Sequence, residues 1–216
     1  MQQRTPHLAR QHGFTLIEIA IVLIIIGLLL GGVLKGQEMI TQGKIRSVEK
    51  ELDSLAMAIH TYRDRYRALP GDDAQAGNRW TGSTNGNADN RVGGAFNSTT
   101  NSDESRIVWQ HLRQAGLLTG DSNSRTQAGN AAGGQLGIQS DIVNGTNILL
   151  SGLVVCSTNL AANIANAIDA QQDDGTPGAG SLRGFQQTAA NTPDFTASIS
   201  AYSDDGNTQY TLCKRV

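Results

Sequence analysis

Residues 14–34 read FTLIEIAIVLIIIGLLLGGVL, a 21-residue run with 16 apolar side chains and one charged residue, Glu18. A bilayer core about 30 Å thick takes about 20 helical residues at 1.5 Å each, so this run predicts a membrane-competent helix. The preceding MQQRTPHLARQHG carries Arg4 and Arg10 and no acid. A secretory signal would have a shorter apolar stretch with a small-residue cleavage site after it, whereas the small residue Gly13 stands before this one. The apolar segment is therefore expected to stay in the mature chain. Basic residues before it and the mixed charges Lys35, Glu38, Lys44 and Arg46 after it predict a single-pass membrane protein, N-terminus cytoplasmic and remainder periplasmic or extracellular.

Composition limits what the remainder can be. The chain has 216 residues, 25 glycines, 4 prolines and a formal charge of −2, which excludes a collagen, a disulfide-dense miniprotein and a basic nucleic-acid-binding domain. Outside the run the apolar fraction falls to about a third, enough for one modest core.

Glu18 is out of place in such a run, because a lone carboxylate at membrane depth costs a few kcal/mol or more unless it finds a partner. It can snorkel to the headgroups, serve a proton path, or pair with a cation from another copy. A single span with no second polar residue deep in it disfavours the proton path.

The hexapeptide Gly13-Phe14-Thr15-Leu16-Ile17-Glu18, after a short basic leader and before an unbroken aliphatic stretch, resembles the signal of type IV prepilins and type II secretion pseudopilins. The resemblance implies cleavage after Gly13 by a membrane prepilin peptidase and N-methylation of Phe14. It also implies that the Glu18 carboxylate neutralises the N-terminal amine of a neighbouring subunit as helices stack in a filament core. The implied partners are further copies or other pilins, the peptidase and an inner-membrane assembly platform. The implied destination is a pilus or pseudopilus, reaching the cell surface in the first case.

After Lys35 the pattern becomes periodic. Ile45, Val48, Leu52, Leu55, Ile59, Tyr62 and Tyr66 recur at spacings of three and four, one face of a helix. Pro70-Gly71 predicts its end near Leu69. Gly27, Gly31, Gly32, Gly36 and Gly43 each cost about 0.8–1 kcal/mol relative to alanine, making 27–36 the weakest part. The glycine pairs suggest a segment that extends on assembly, in place of the proline that many pilins have where this chain has Lys35.

Within 81–105, 17 of 25 residues are Gly, Ser, Thr or Asn, which predicts a long surface loop. Its piece Asn85-Gly-Asn-Ala-Asp89-Asn, with Asp72 and Asp73 near, faintly resembles a calcium loop. It lacks the sixth-position glycine and closing glutamate of an EF-hand, so a solvated loop is expected and no metal is assigned. Further on, the pattern predicts a helix over 106–118 with Trp109 in the core, a strand over 148–156, a helix over 159–171 capped by Ser157, and a hairpin of 195–202 with 208–216. The expected fold class is α+β, pilin-like, with a long N-terminal helix on a small antiparallel sheet. The expected organisation is a leader at 1–13, a membrane or filament-core helix at 14–34, its amphipathic continuation at 35–69 and a head at 70–216.

The two cysteines, Cys156 and Cys213, lie on the exported side, where a disulfide between them is the expected state. It matches the disulfide-bounded C-terminal region of many type IV pilins. Of four histidines, His7 and His12 fall in the leader, and His60 and His111 read as surface or boundary residues. No G-x-S-x-G, G-x-x-x-x-G-K-[ST] or G-x-G-x-x-G motif occurs, and Gly178, Gly180 and Gly184 miss the last of these. No enzyme, no catalytic residue and no cofactor is expected. After cleavage the balance becomes 15 Lys+Arg against 19 Asp+Glu, and no nucleic-acid partner is expected. The expected function is a structural subunit of a pilus or secretion pseudopilus. The competing reading is a membrane-anchored periplasmic binding protein that keeps its leader and does not polymerise.

Overall fold

The computed structural model describes residues 15–197 and 199–216. Gly13 and Phe14, and with them the expected cleavage and methylation sites, lie outside the described residues. The chain divides into two units, Met1–Gln42 and Gly43–Val216.

Helix α1 is Leu16–Tyr66, 51 residues. In the first unit its side chains from Leu16 to Leu34 face outward, with Leu16 88% exposed. It is long and apolar enough to cross a membrane. The helix is continuous through Gly27, Gly31, Gly32 and Gly36, and a Cβ at any of them would meet nothing within 4 Å. These glycines are therefore not required by packing within the chain.

In the second unit Ile45, Val48, Leu52, Leu55, Ile59 and Tyr62 are buried, the stripe that the periodicity predicts, while Tyr66 is half-buried. The helix ends at Tyr66 rather than near Leu69, because Arg67 turns into the left-handed region at φ 56°. The stripe packs on a five-stranded antiparallel sheet of order β1-β2-β5-β3-β4, built from β1 (Leu136–Asn144), β2 (Asn147–Ala161), β3 (Leu182–Ala189), β4 (Thr192–Pro193) and β5 (Gln209–Arg215). The architecture is α+β, an apolar N-terminal helix packed through its second half on an antiparallel sheet.

Strand β2 lies between β1 and β5 and is buried on both faces from Val154 to Thr158, while its start, including Ile148, is exposed. Val155 and Leu160 join the helix side with Leu212 of β5. Val154 and Cys156 join a second cluster on the other face with Phe96, Ile142, Phe185 and Cys213. Phe96 covers that face closely enough that a Cβ on Gly137 would come within 2.3 Å of its ring, so glycine is required there.

Several elements differ from the sequence expectation. Residues 195–197 and 199–202 form no strand, and β5 pairs with β2 and β3 instead of closing a terminal hairpin. Strand β1 lies at the end of a stretch rich in turn-formers, and β3 alternates only weakly. The expected 148–156 strand continues to Ala161, which absorbs Ser157 and moves the next helix, α4, to Ala162–Gln172 behind the N-cap residue Ala161. The 71–105 region contains the short helix α2 (Ala76–Arg79). Helix α3 (Glu104–Gln114) starts earlier than predicted. It ends in a Schellman motif in which Gly116, at φ 71°, donates to the Arg113 carbonyl and Leu117 donates to that of Leu112. Trp109 is fully buried, as predicted.

Candidate functional site

The first turn of α1 is closed by its own side chains. Thr15 N–H and Thr15 Oγ1 both donate to Glu18 Oε2 at 2.8 Å, and Glu18 N–H donates to Thr15 Oγ1 at 3.3 Å. With Thr15 at the N-cap and Glu18 three residues on, this is a capping box that satisfies backbone donors the helix start leaves free. Glu18 thus has a local partner in the single chain, one oxygen of its carboxylate being engaged. T-x-x-E before an apolar run is the sequence signature of this arrangement, so Thr15 was legible as a participant.

Residues 8–34 match the model of the prokaryotic N-terminal methylation motif. The chain carries a prepilin-type N-terminus. A solved structure with similarity to this chain is the crystal structure of type IV b pilin from Salmonella typhi, at 21% identity over 57% of this chain and 83% of that one, with a TM-score of 0.29. No curated protein matches. Within this prepilin-type segment, Glu18 is the one acid between Thr15 and Leu34, on a stretch of α1 whose large apolar side chains are exposed.

In the second unit the 70–103 segment folds around carboxylates, which serve it in place of a sheet ladder. Asp72 Oδ1 and Oδ2 accept from the N–H groups of Asp89 (3.0 Å) and Asn90 (2.8 Å). Glu104, from the first turn of α3, accepts from Asn87 N–H (3.1 Å) and Gly93 N–H (2.8 Å). A Cβ on Gly86 would fall 2.3 Å from Asp72 backbone atoms, so glycine permits this approach. Oxygens of Asp72, Asp89 and Glu104 lie within 4.8 Å of one another. The acid that the local calcium-loop pattern lacked is thus supplied by a distant helix, but the carboxylates of Asp72 and Glu104 are occupied by loop amides.

Asp73 turns the other way. It accepts from the Tyr62 hydroxyl at 2.7 Å and from Gln75 N–H at 2.8 Å, and it forms an ion pair with Arg79. His111 lies beside this network, fully buried and stacked on Tyr62 with ring centroids 6.0 Å apart. Its Nδ1 accepts from Gly71 N–H at 2.9 Å, which leaves Nε2 to donate to the Thr84 carbonyl at 2.8 Å. Burial pushes its pKa down to about 4, the Thr84 carbonyl opposing and the Arg79 and Arg125 guanidiniums adding to the effect. The expectation of a boundary histidine is corrected: His111 ties α3 to the loop. His60 is exposed.

Cys156 and Cys213 face each other across β2 and β5 and are disulfide-linked, with Cα atoms 4.0 Å apart. They are fully buried in the cluster behind the sheet.

Proposed function

We propose that the chain is a structural subunit of a type IV pilus or type II secretion pseudopilus, made as a prepilin. In this reading the leader 1–13 is removed after Gly13 and Phe14 is N-methylated by the prepilin peptidase. Residues 14–34 serve first as the membrane anchor and then as the filament-core helix, and the rest forms the exported head. The observation that carries the reading is the methylation motif at 8–34 together with a lone acid, Glu18, on the first turn of α1, whose large apolar side chains from Leu16 to Leu34 are exposed.

Physical chemistry gives that acid its role. Cleavage creates an ammonium four residues from the carboxylate. Either charge left alone in an apolar filament core would cost several kcal/mol, and pairing them between neighbouring subunits removes both penalties. The capping box engages one oxygen of Glu18 and leaves the second for the ammonium. The disulfide holds β5, the last strand in the chain and the central one of the sheet, to its neighbour β2. Recognition by an inner-membrane assembly platform and copolymerisation with other pilins follow from the same reading.

Intact mass spectrometry of the protein from native membranes or a sheared surface fraction tests it. The expected mass is that of Phe14–Val216 with one added methyl group and two hydrogens fewer. A mass that includes Met1–Gly13 overturns the proposal in favour of an anchored, unpolymerised binding protein. Glu18→Ala is expected to give a stable, membrane-inserted monomer that assembles poorly; normal filaments from that variant would refute the pairing.

A further inference from the structure

The second unit carries an apolar cleft and an apolar projection that do not meet within one copy. The cleft, of about 340 Å³, opens between α1, the end of α3 and the segment that leads into β1. Leu55, Trp109 and Leu136 supply apolar lining, and Ser47, Glu51 and Ser54 of α1 give it a polar rim. Glu51 Oε2 accepts from Ala131 N–H at 3.2 Å, which ties the segment bordering the cleft to the helix.

The projection is the end of the β1–β2 hairpin. These strands stay paired from Leu136 with Ser157 to Asn144 with Asn147, whereas β5 pairs with β2 only from Val154 onward. Residues 142–152 are therefore a two-stranded ribbon that runs beyond the third strand. Near its tip Val143 and Ile148 pair across the ribbon and are 45% and 59% exposed. Among the described residues of the second unit, Met57 is the one other large apolar side chain so exposed.

The two features lie on opposite flanks of α1. Ser47, Glu51 and Ser54 recur at spacings of four and three on one side of the buried stripe. On the other side Asp53 pairs with Lys214 of β5, and His60 shares a cavity with Leu153, from which the ribbon extends. A projection and a recess on opposite flanks make a heterologous contact, which repeats from copy to copy and stays open unless its rotation closes a ring.

We propose that the Val143 and Ile148 tip of one copy seats in the Leu55, Trp109 and Leu136 cleft of the next. This rests on the subunit reading above and names a contact between heads. It puts an apolar centre inside a polar rim, with the turn from Asn144 to Asn147 facing the Ser47, Glu51 and Ser54 side chains, the usual anatomy of a protein interface.

Oxidative cross-linking in cells, read on non-reducing gels of membranes and of the sheared surface fraction, tests the contact with Ser54→Cys and Ile148→Cys. The double variant is expected to give a ladder of multimers, because each copy then carries both halves of a head-to-tail contact. Each single variant is expected to stay monomeric on the gel, and the two expressed together to give mixed dimers. Ile148→Asp alters an exposed position, and a melt matching the parent establishes that it folds. It is expected to lower filament yield about tenfold or more, and Ile148→Leu to keep it. Filaments without a ladder from the double variant, dimers from Ile148→Cys alone, or normal filament yield from Ile148→Asp each overturn the proposal. An adduct of Ser54→Cys with a different protein, and none between copies, also overturns it and assigns the cleft to that partner. Intact mass separates the two readings. Processed Phe14–Val216 in filaments without the ladder removes this contact alone, whereas a retained leader and no filament remove the subunit reading with it.

Discussion

Thr15 and Glu18 close the start of α1 in the single chain, and the proposed filament pairing draws on the same carboxylate. In the single chain Glu18 completes a capping box, so Thr15→Val removes the hydroxyl while keeping the shape and costs about 1 kcal/mol of local helix stability. Faster amide exchange at residues 16–19 in detergent is the expected readout, and exchange unchanged from the parent would refute the cap. His111 supplies the pH dependence. It is neutral when folded, with its pKa pushed down to about 4 by burial, so between the unfolded value near 6.5 and 4 the unfolded state binds the proton first. Stability contributed by this group is therefore complete above about pH 6.5 and is lost as pH falls towards 4, on the order of 3 kcal/mol. Urea midpoints at pH 7 and pH 4.5 measure it. His111→Gln should be less stable at pH 7, having lost ring packing on Tyr62, and should show a shallower slope. Sequence could not reveal this residue, because its partners Gly71 and Thr84 lie 40 and 27 positions away.

At the scale of elements, α1 was legible because both its signals are local. A continuous apolar run and a three-four periodicity each survive without knowledge of the rest of the chain. The glycines of 27–36 interrupt neither the helix nor any contact. Gly31→Ala with Gly32→Ala should stiffen the segment by about 1 kcal/mol per site, seen as slower amide exchange over 27–36. If this stretch extends on assembly, the same double variant is expected to insert normally and polymerise poorly. Strands β1 and β3 were hidden for a different reason. Each draws its order from neighbours, β1 from β2 and β3 from β5, and their own sequences are diluted by glycine, glutamine and serine. The 195–202 segment shows the converse: its β-formers pack as loop residues, Phe195 behind the sheet against Phe185 with ring centroids 4.9 Å apart, and Ile199 and Tyr202 on the helix-side cluster.

At the scale of the whole molecule, the disulfide closes a 57-residue separation and ties the terminal strand, which is the central one of the sheet, to its neighbour β2. Loop entropy puts its contribution on the order of 4 kcal/mol, so Cys156→Ser with Cys213→Ser is expected to lower the melting temperature by several degrees or more. An unchanged melt would show that the sheet holds β5 without it. What the sequence by itself determined is what short-range patterns encode: the prepilin-type N-terminus, the membrane-competent helix with its single acid, the buried stripe from Ile45 to Tyr62, and the two cysteines as the only available pair. What only the tertiary structure decided is which distant groups meet. Glu104 joins Asp72 and Asp89, His111 reaches Gly71, and Asp169 is sealed beside Tyr202. Those encounters depend on how loops of turn-forming residues satisfy their backbone amides, and a composition of glycine, asparagine and serine allows many solutions until the packed sheet and helix select one.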